Sequence, residues 1–215
     1  MTLTIVQVVV AIVVCAALVC ASFVAGSTYR RKTAEAKIGS AEEEAMRIVN
    51  EAIKTAEQNG YDMRVLKAVE EVNERQKSIL FRKLSAHYGG VLNDKTVAIW
   101  GLAFKAETDD MREATSLVTI KLLLDAGCKV RVFDPVAMDE CRRRIGDRVE
   151  YAADMYDATL NADALLVITE WKQFRLPSWN VVRKLMNRPF IIDGRNIYDA
   201  NEIKNFGFEY TCIGR

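Results

Sequence analysis

From Lys95 onward the sequence alternates short β-rich apolar runs with helical segments, and this alternation restricts the possible folds more than any other feature of the chain. The runs are Thr96-Val97-Ala98-Ile99-Trp100, Lys129-Val130-Arg131-Val132-Phe133, Ala164-Leu165-Leu166-Val167-Ile168 and Phe190-Ile191-Ile192, with a last one near 208–213. Nearly continuous apolar strands need cover on both faces, and strands separated by helices pair in parallel. The expected domain is therefore α/β, a doubly wound, Rossmann-like parallel sheet, with 116–126 and 179–186 as the clearest intervening helices. A chain of 215 residues buries one such core plus appendages rather than two full domains.

The appendages precede the sheet. Residues 5–25 carry no charged side chain, with only Gln7 and Ser22 clearly polar, and the run is long enough to span a bilayer. A cleaved signal peptide is the main competing reading, but Met1-Thr2-Leu3-Thr4 lacks the basic start of such peptides. A lipid-modified Cys20 is another, set against the bulky Val19 before it. Arg30, Arg31 and Lys32 follow the run directly, which places the rest of a retained single-pass anchor in the cytoplasm. Residues 33–57 then space Ile38, Ala41, Ala45, Ile48, Ala52 and Thr55 by three and four, which fits either a weak coiled coil or a solvated single helix.

Gln58-Asn59-Gly60 interrupts this pattern, and a second long helix is expected from Asp62 to about His87 before Gly89-Gly90 stops it. Its apolar stripe is Val65, Leu66, Val69, Val72, Ile79, Leu80 and Leu84. Asn73 and Gln76 share the stripe, so partial burial is expected for both, within the fold or across a subunit contact. The resulting division is 1–32 anchor with basic flank, 33–59 coiled-coil-like helix, 60–90 connector helix and 91–215 α/β domain.

Composition narrows function by exclusion. Lys plus Arg number 30 against 29 for Asp plus Glu, which gives no electrostatic reason to propose nucleic acid as a partner. His87 is the sole histidine, and the five cysteines form no CxxC pair, so no metal site is expected and the thiols read as reduced and structural.

In a doubly wound sheet ligands bind beyond the carboxyl ends of the strands. The first strand runs into Gly101-Leu102-Ala103-Phe104-Lys105, which is no GxGxxG cradle, but Lys105 at the strand end and Arg112 before the next helix suit phosphate. Asp193-Gly194-Arg195-Asn196 brings a third cation to the same edge, and an arginine fork matches phosphate oxygens in pairs. Thr108 and Asp109 read as helix caps. Asp134 fits a ribose contact or a turn or helix cap equally well and stays outside the candidate site.

The segments Val69-Glu70-Glu71-Val72-Asn73-Glu74-Arg75-Gln76-Lys77, GLAFKAETDDMRE, VRVFDP, TEWKQF and DGRNIYD, in that order and at those separations, resemble the UDP-glucose 6-dehydrogenases from about Ile53 to Arg215. The resemblance implies that Phe104 and Lys105 contact a UDP-sugar (UDP-glucose or UDP-glucuronate) and that Arg195 reaches its phosphates. It further implies that Arg112 touches NAD held mainly by a separate domain, and that the long helix is the dimer and interdomain connector. The family's catalytic cysteine sits in a GGxCFPKD motif upstream of that helix; here Glu44 and Ile48 fall where its cysteine and aspartate belong. No catalytic residue is therefore expected, and the oxidation, which needs a thiolate, is expected to be absent from the chain alone.

The apolar run, Tyr29-Arg30-Arg31-Lys32 and Lys37-Ile38-Gly39-Ser40-Ala41-Glu42-Glu43-Glu44-Ala45 resemble a second family, the bacterial ribonuclease Y, at its membrane helix and coiled coil. That implies a bacterial inner-membrane location, a coiled-coil homodimer and no nuclease activity, since the catalytic domains of that family are not matched. The two resemblances meet over residues 52–57, as at a gene fusion or at a genome-assembly error that joins two genes. A membrane-anchored coiled-coil interaction protein is thus the alternative to a UDP-sugar-binding module.

Overall fold

The computed structural model describes residues 62–214 together with Ser22, Ile48, Val49, residues 51–56, Gln58 and Asn59. The chain divides into two compact units, 1–63 and 64–215. In the first, 51–56 are helical, and the Asn59 side-chain amide donates to the Thr55 carbonyl at 2.8 Å, closing the last turn where the sequence places a stop. The expected membrane anchor and most of the coiled-coil segment lie outside the described residues. Among the described residues no helix is long and apolar enough to cross a membrane.

The second unit opens with α1 (Arg64–Lys77) and α2 (Ile79–His87). The sheet domain then alternates β1 (Thr96–Trp100), α3 (Thr115–Asp125), β2 (Lys129–Phe133), α4 (Met138–Ile145), β3 (Glu150–Tyr151) and α5 (Met155–Ala158). It continues with β4 (Ala164–Val167), α6 (Trp179–Leu185), β5 (Phe190–Asp193), α7 (Ala200–Asn205) and β6 (Glu209–Cys212). All strand pairs are parallel, in the order β3-β2-β1-β4-β5-β6. The order reverses direction beside β1, so the crevice of a doubly wound sheet falls at the carboxyl ends of β1 and β4.

Strand alternation divides the core between the two faces. Val97, Ile99, Val130, Val132, Leu166 and Ile192 pack on one face with Leu80 and Leu84 of α2 and Ile120 and Leu123 of α3. Ala98, Trp100, Leu165, Val167 and Ile191 pack on the other with Phe174, Trp179 and Val182. There Trp100 stacks on Phe174 at 5.3 Å between centroids, and its indole N–H donates to the Met155 carbonyl at 2.7 Å, so the largest core side chain leaves no polar atom unpaired. Asp154 and Asp199 cap α5 and α7, each carboxylate accepting two backbone amides of the first turn. Cys128, Cys141 and Cys212 are free and buried, and burial pushes the Cys128 thiol up to about 11.

Two expectations need correction. The long helix is broken at Ser78, whose ψ of −1° ends α1 and whose hydroxyl donates back to the Arg75 carbonyl at 2.9 Å. More importantly, α1 buries none of its residues: Val65, Val69 and Val72 are 76, 52 and 53% exposed, and Asn73 and Gln76 are exposed with them. Periodicity identifies the apolar face of a helix but not what covers it, and here Leu66 is half-buried while Val65, Val69 and Val72 stay exposed. Burial of Asn73 and Gln76 between helices of the same fold is thereby overturned.

Gly101, directly after β1, has φ +92°, and a Cβ there would lie 2.5 Å from Thr169 Cβ and 2.6 Å from Thr169 N. Both the conformation and the space demand glycine. Gly101→Ala should destabilise the domain by about 2–4 kcal/mol through backbone strain plus overpacking. Urea denaturation of the two proteins, read by tryptophan fluorescence, checks this; an unchanged midpoint would contradict it.

Candidate functional site

Three connections fix the start of the loop after β1. Asp134, at the end of β2 and 1% exposed, accepts from Leu102 N at 2.7 Å and Ala103 N at 3.2 Å through Oδ2. The same oxygen accepts the Trp171 indole N–H at 3.0 Å, while Oδ1 accepts Val136 N and Ala137 N at 2.9 and 2.8 Å. Five donors surround one buried carboxylate, which is how such a charge is kept inside a protein. Buried Thr169, after β4, donates its hydroxyl to the Ala103 carbonyl at 2.6 Å, and the Ser116 hydroxyl of α3 donates to Leu102 O. Asp134 is thus the scaffold of the crevice, performing the capping half of its two sequence readings.

Beyond this pinned base the chain emerges. Phe104 is 42% exposed and Lys105 is exposed. Phe104 N donates to the Asp110 carbonyl at 2.8 Å, closing residues 104–110 into a compact loop. Thr108 donates its hydroxyl to the Lys105 carbonyl at 2.9 Å. This corrects the reading of Thr108 and Asp109 as caps: the next helix, α3, begins only at Thr115, so Thr108 braces a turn instead.

Arg112 also sits in the loop rather than at the helix start. Its Nε and Nη2 donate to Asp110 Oδ1 and Oδ2 at 3.0 and 2.8 Å, and its backbone N–H also donates to Oδ1 at 2.9 Å. The Arg112 guanidinium holds the Asp110 carboxyl below the usual carboxylate range. A depressed pKa stabilises the fold above the ordinary carboxylate range, and that contribution is lost as pH falls through the depressed value. The loop pair therefore stays ionised at neutral pH.

A second buried carboxylate organises the end of β5. Asp193 accepts from Arg195 N at 2.9 Å through Oδ1, and from Ile197 N, Tyr198 N and the Tyr210 hydroxyl at 2.8, 3.1 and 2.9 Å through Oδ2. Burial, then the Asp193 charge, pushes both the Tyr198 and Tyr210 phenols up, so both remain protonated donors. The turn aims Arg195 across the crevice. Its Nε donates to the Ile168 carbonyl after β4 at 2.6 Å, and its Nη2 donates to the Phe104 carbonyl at 3.1 Å. Glu170 Oε2 lies 3.0 Å from Nε, balancing the guanidinium, although Nε directs its hydrogen to Ile168.

Three of the four residues singled out from sequence are therefore linked by one series of hydrogen bonds, Arg195 to Phe104, Phe104 to Asp110 and Asp110 to Arg112, and the fourth, Lys105, follows Phe104 in the chain. Thr169, Trp171 and Asp193, which sequence reasoning quoted only inside motifs, are the residues that hold them there. An open depression of about 660 Å³ lies at the opposite rim, lined among others by Thr96, Lys129, Arg131 and Glu150. It lies at the amino ends of the strands, away from the crevice where this class of sheet binds ligands. Asp134→Asn would turn an amide N–H₂ toward donors that need an acceptor, and should destabilise the domain by about 2–4 kcal/mol. Urea titration followed through Trp171 and its neighbours measures this, and a loss below half a kcal/mol, on the scale of ordinary surface changes, would show that the carboxylate is dispensable.

Comparison with known proteins supplies the family. Residues 98–200, which include Phe104, Lys105, Arg112 and Arg195, match the model of the UDP-glucose/GDP-mannose dehydrogenase family, UDP binding domain. The chain is 45% identical over 172 residues to the UDP-glucose 6-dehydrogenase of Pseudomonas aeruginosa, covering 78% of this chain and 38% of that protein. It is 37% identical over 163 residues to the UDP-glucose 6-dehydrogenase of Rhizobium meliloti, covering 76% and 37%. Among solved structures it is similar to a UDP-glucose dehydrogenase from Pyrobaculum islandicum, with TM-score 0.62 and 32% identity over 70% of this chain and 33% of that one. The chain thus spans well under half the length of these relatives. With the sheet order, the crevice and these matches in agreement, the part of the chain at residues 98–200 is a UDP binding domain of the UDP-glucose/GDP-mannose dehydrogenase family.

Proposed function

We propose that this chain binds the UDP part of a UDP-sugar such as UDP-glucose or UDP-glucuronate at the carboxyl ends of β1, β4 and β5, with Lys105 and Arg195 on the diphosphate and Phe104 against the nucleotide-sugar. One observation carries the reading: the Arg195 side chain, anchored at the end of β5, hydrogen-bonds the Phe104 carbonyl at the end of β1. Two cations from distant parts of the sequence thereby share one rim. Lys105 is exposed, and no acidic partner is found for it among the described residues, so its ammonium is available to an anion. Arg195 keeps its second fork nitrogen on the loop, which fixes the guanidinium before a phosphate arrives.

The family relation brings NAD into consideration, and the fit is limited. Arg112 is the one residue assigned to it, and its fork already engages Asp110. The loop after β1, Gly101-Leu102-Ala103-Phe104-Lys105-Ala106, has no second glycine to let a pyrophosphate approach the backbone. These residues do not make a dinucleotide site by themselves, so the reading assigns this domain no oxidation step. Oxidation through a thiohemiacetal needs a thiolate, and Cys128 and Cys141 are buried with their thiols pushed up by that burial. The proposal is binding without turnover by the chain alone.

The uncovered face of α1 belongs to the same reading. Val65, Val69 and Val72 form an exposed apolar stripe flanked by Asn73 and Gln76, and we place there the contact with a second copy that the family resemblance implies. Sedimentation velocity tests it: Val69→Glu should shift the chain toward monomer, and a wild type that is monomeric at all concentrations would remove the idea.

Calorimetric titration of UDP into the purified chain tests the site. Saturable binding is expected, weakened about ten- to hundredfold in Lys105→Ala, the loss typical of one charge-assisted hydrogen bond or slightly more. Arg195→Ala should weaken binding and also lower the melting temperature, because it frees the Ile168 and Phe104 carbonyls. Binding should fall with added salt. No binding by the wild type, or full affinity in Lys105→Ala, would overturn the proposal.

A further inference from the structure

The helix α1, none of whose residues is fully buried, is tied to the nucleotide loop by an ion-pair node at its carboxyl end. Lys77, the last residue of α1, donates to Glu113 Oε2 at 2.6 Å and to Glu74 Oε1 at 2.7 Å. Its side chain is only 17% exposed, although both carboxylates are largely exposed at 58 and 63%. Burial pulls the Lys77 pKa down, but its hydrogen bonds to Glu113 and Glu74 and their charges outweigh this and leave it raised, so the ammonium is fully charged at neutral pH. No residue of α1 is fully buried, and Lys77, the most shielded side chain at its carboxyl end, is the polar contact that holds that end to the loop.

What it holds is conformationally unusual. Glu113 has φ +53°, in the left-handed region that residues with a Cβ seldom occupy. Such a backbone persists where surrounding contacts over-determine it, and it clusters at functional sites. On one side of Glu113 lies Arg112, locked to Asp110; on the other lies Ala114, 1% exposed, which opens α3. From Asp110 the connection runs through Phe104 N to Phe104 O and Arg195, both in the proposed diphosphate site. A path of ion pairs and hydrogen bonds, joined by short stretches of backbone at Glu113-Arg112, Asp110 and Phe104, thus connects the end of α1 to that site.

We infer that Lys77 is a positioning residue of the nucleotide site: by holding Glu113 it sets the loop that carries Phe104, Lys105 and Arg112, so that the placement of α1 controls the affinity for the diphosphate. The inference rests on the UDP-binding reading above and adds a control element to it. Lys77 touches no ligand in this scheme. Its effect is transmitted, which gives it a different signature from Lys105: a neutral residue at 77 loosens the loop, whereas arginine at 77 still spans Glu74 and Glu113.

The test is calorimetric UDP binding by the full chain and four variants, with melting temperatures measured alongside. Lys77→Met should bind UDP about three- to thirtyfold more weakly, the range of couplings carried through such networks. Lys77→Arg should recover most of the affinity. Glu113→Asn keeps a residue that tolerates left-handed backbone while removing the charge, so it should retain the wild-type melting temperature and yet bind as weakly as Lys77→Met. The exchanged pair Lys77→Glu with Glu113→Lys should bind better than Lys77→Met. Wild-type affinity in both Lys77→Met and Glu113→Asn would overturn the inference while leaving the UDP reading intact. A weakening that Lys77→Arg does not relieve would also overturn it. Absence of UDP binding by the wild type would overturn the reading and this inference together.

Discussion

Two buried carboxylates organise the carboxyl edge of the sheet. Asp134 and Asp193 each stand at the end of a strand, each almost wholly removed from water, and each gathers backbone amides from the loop that follows its own strand. Asp134 also reaches across to the loop after β1 and to Trp171 after β4; Asp193 draws in the Tyr210 hydroxyl from β6. A charge in such a place is tolerable only if nearly every lone pair is used, so the loops have little freedom to depart from it. The rigidity of the crevice is a consequence of desolvated charge.

Fixed loops make it possible to present cations without collapsing onto them. Gly101 allows the chain to leave β1 pressed against Thr169, and the next two residues are consumed in scaffold bonds, so Phe104 and Lys105 are the first side chains that project. Arg195 is used differently. It is partly structural, bonded to two carbonyls from two strand ends, and faces Glu170 as well. For the proposed diphosphate, one cation held available and one held in place would be complementary: the first contributes charge at little reorganisation, the second geometry.

Much of this was legible in the sequence, for identifiable reasons. The runs at Thr96–Trp100 and Lys129–Phe133 became strands with those limits, because a buried parallel strand is a continuous apolar run and little else reads that way. The two-residue strand β3 had no period to read. The candidate cations were found because strand ends locate the crevice, but the role of Asp134 was hidden: its decisive partners are 32 and 37 residues away, and no local pattern encodes them. Thr108 and Asp109 were read as caps because that residue pair usually is one; the loop uses Thr108 to brace a turn well before the helix starts. On α1 the apolar stripe is legible but its cover is not, since amphipathicity reports a need for cover without saying whether this domain or a second subunit provides it.

A crystal structure of the chain soaked or grown with UDP would show whether Lys105 and Arg195 address the same diphosphate, as proposed. Phosphate oxygens are expected within hydrogen-bonding distance of both Lys105 Nζ and the Arg195 guanidinium, with Asp134 and Asp193 unmoved beneath them. A nucleotide lodged at the amino-end rim beside Lys129 and Arg131, or one whose phosphates meet neither side chain, would contradict the proposal.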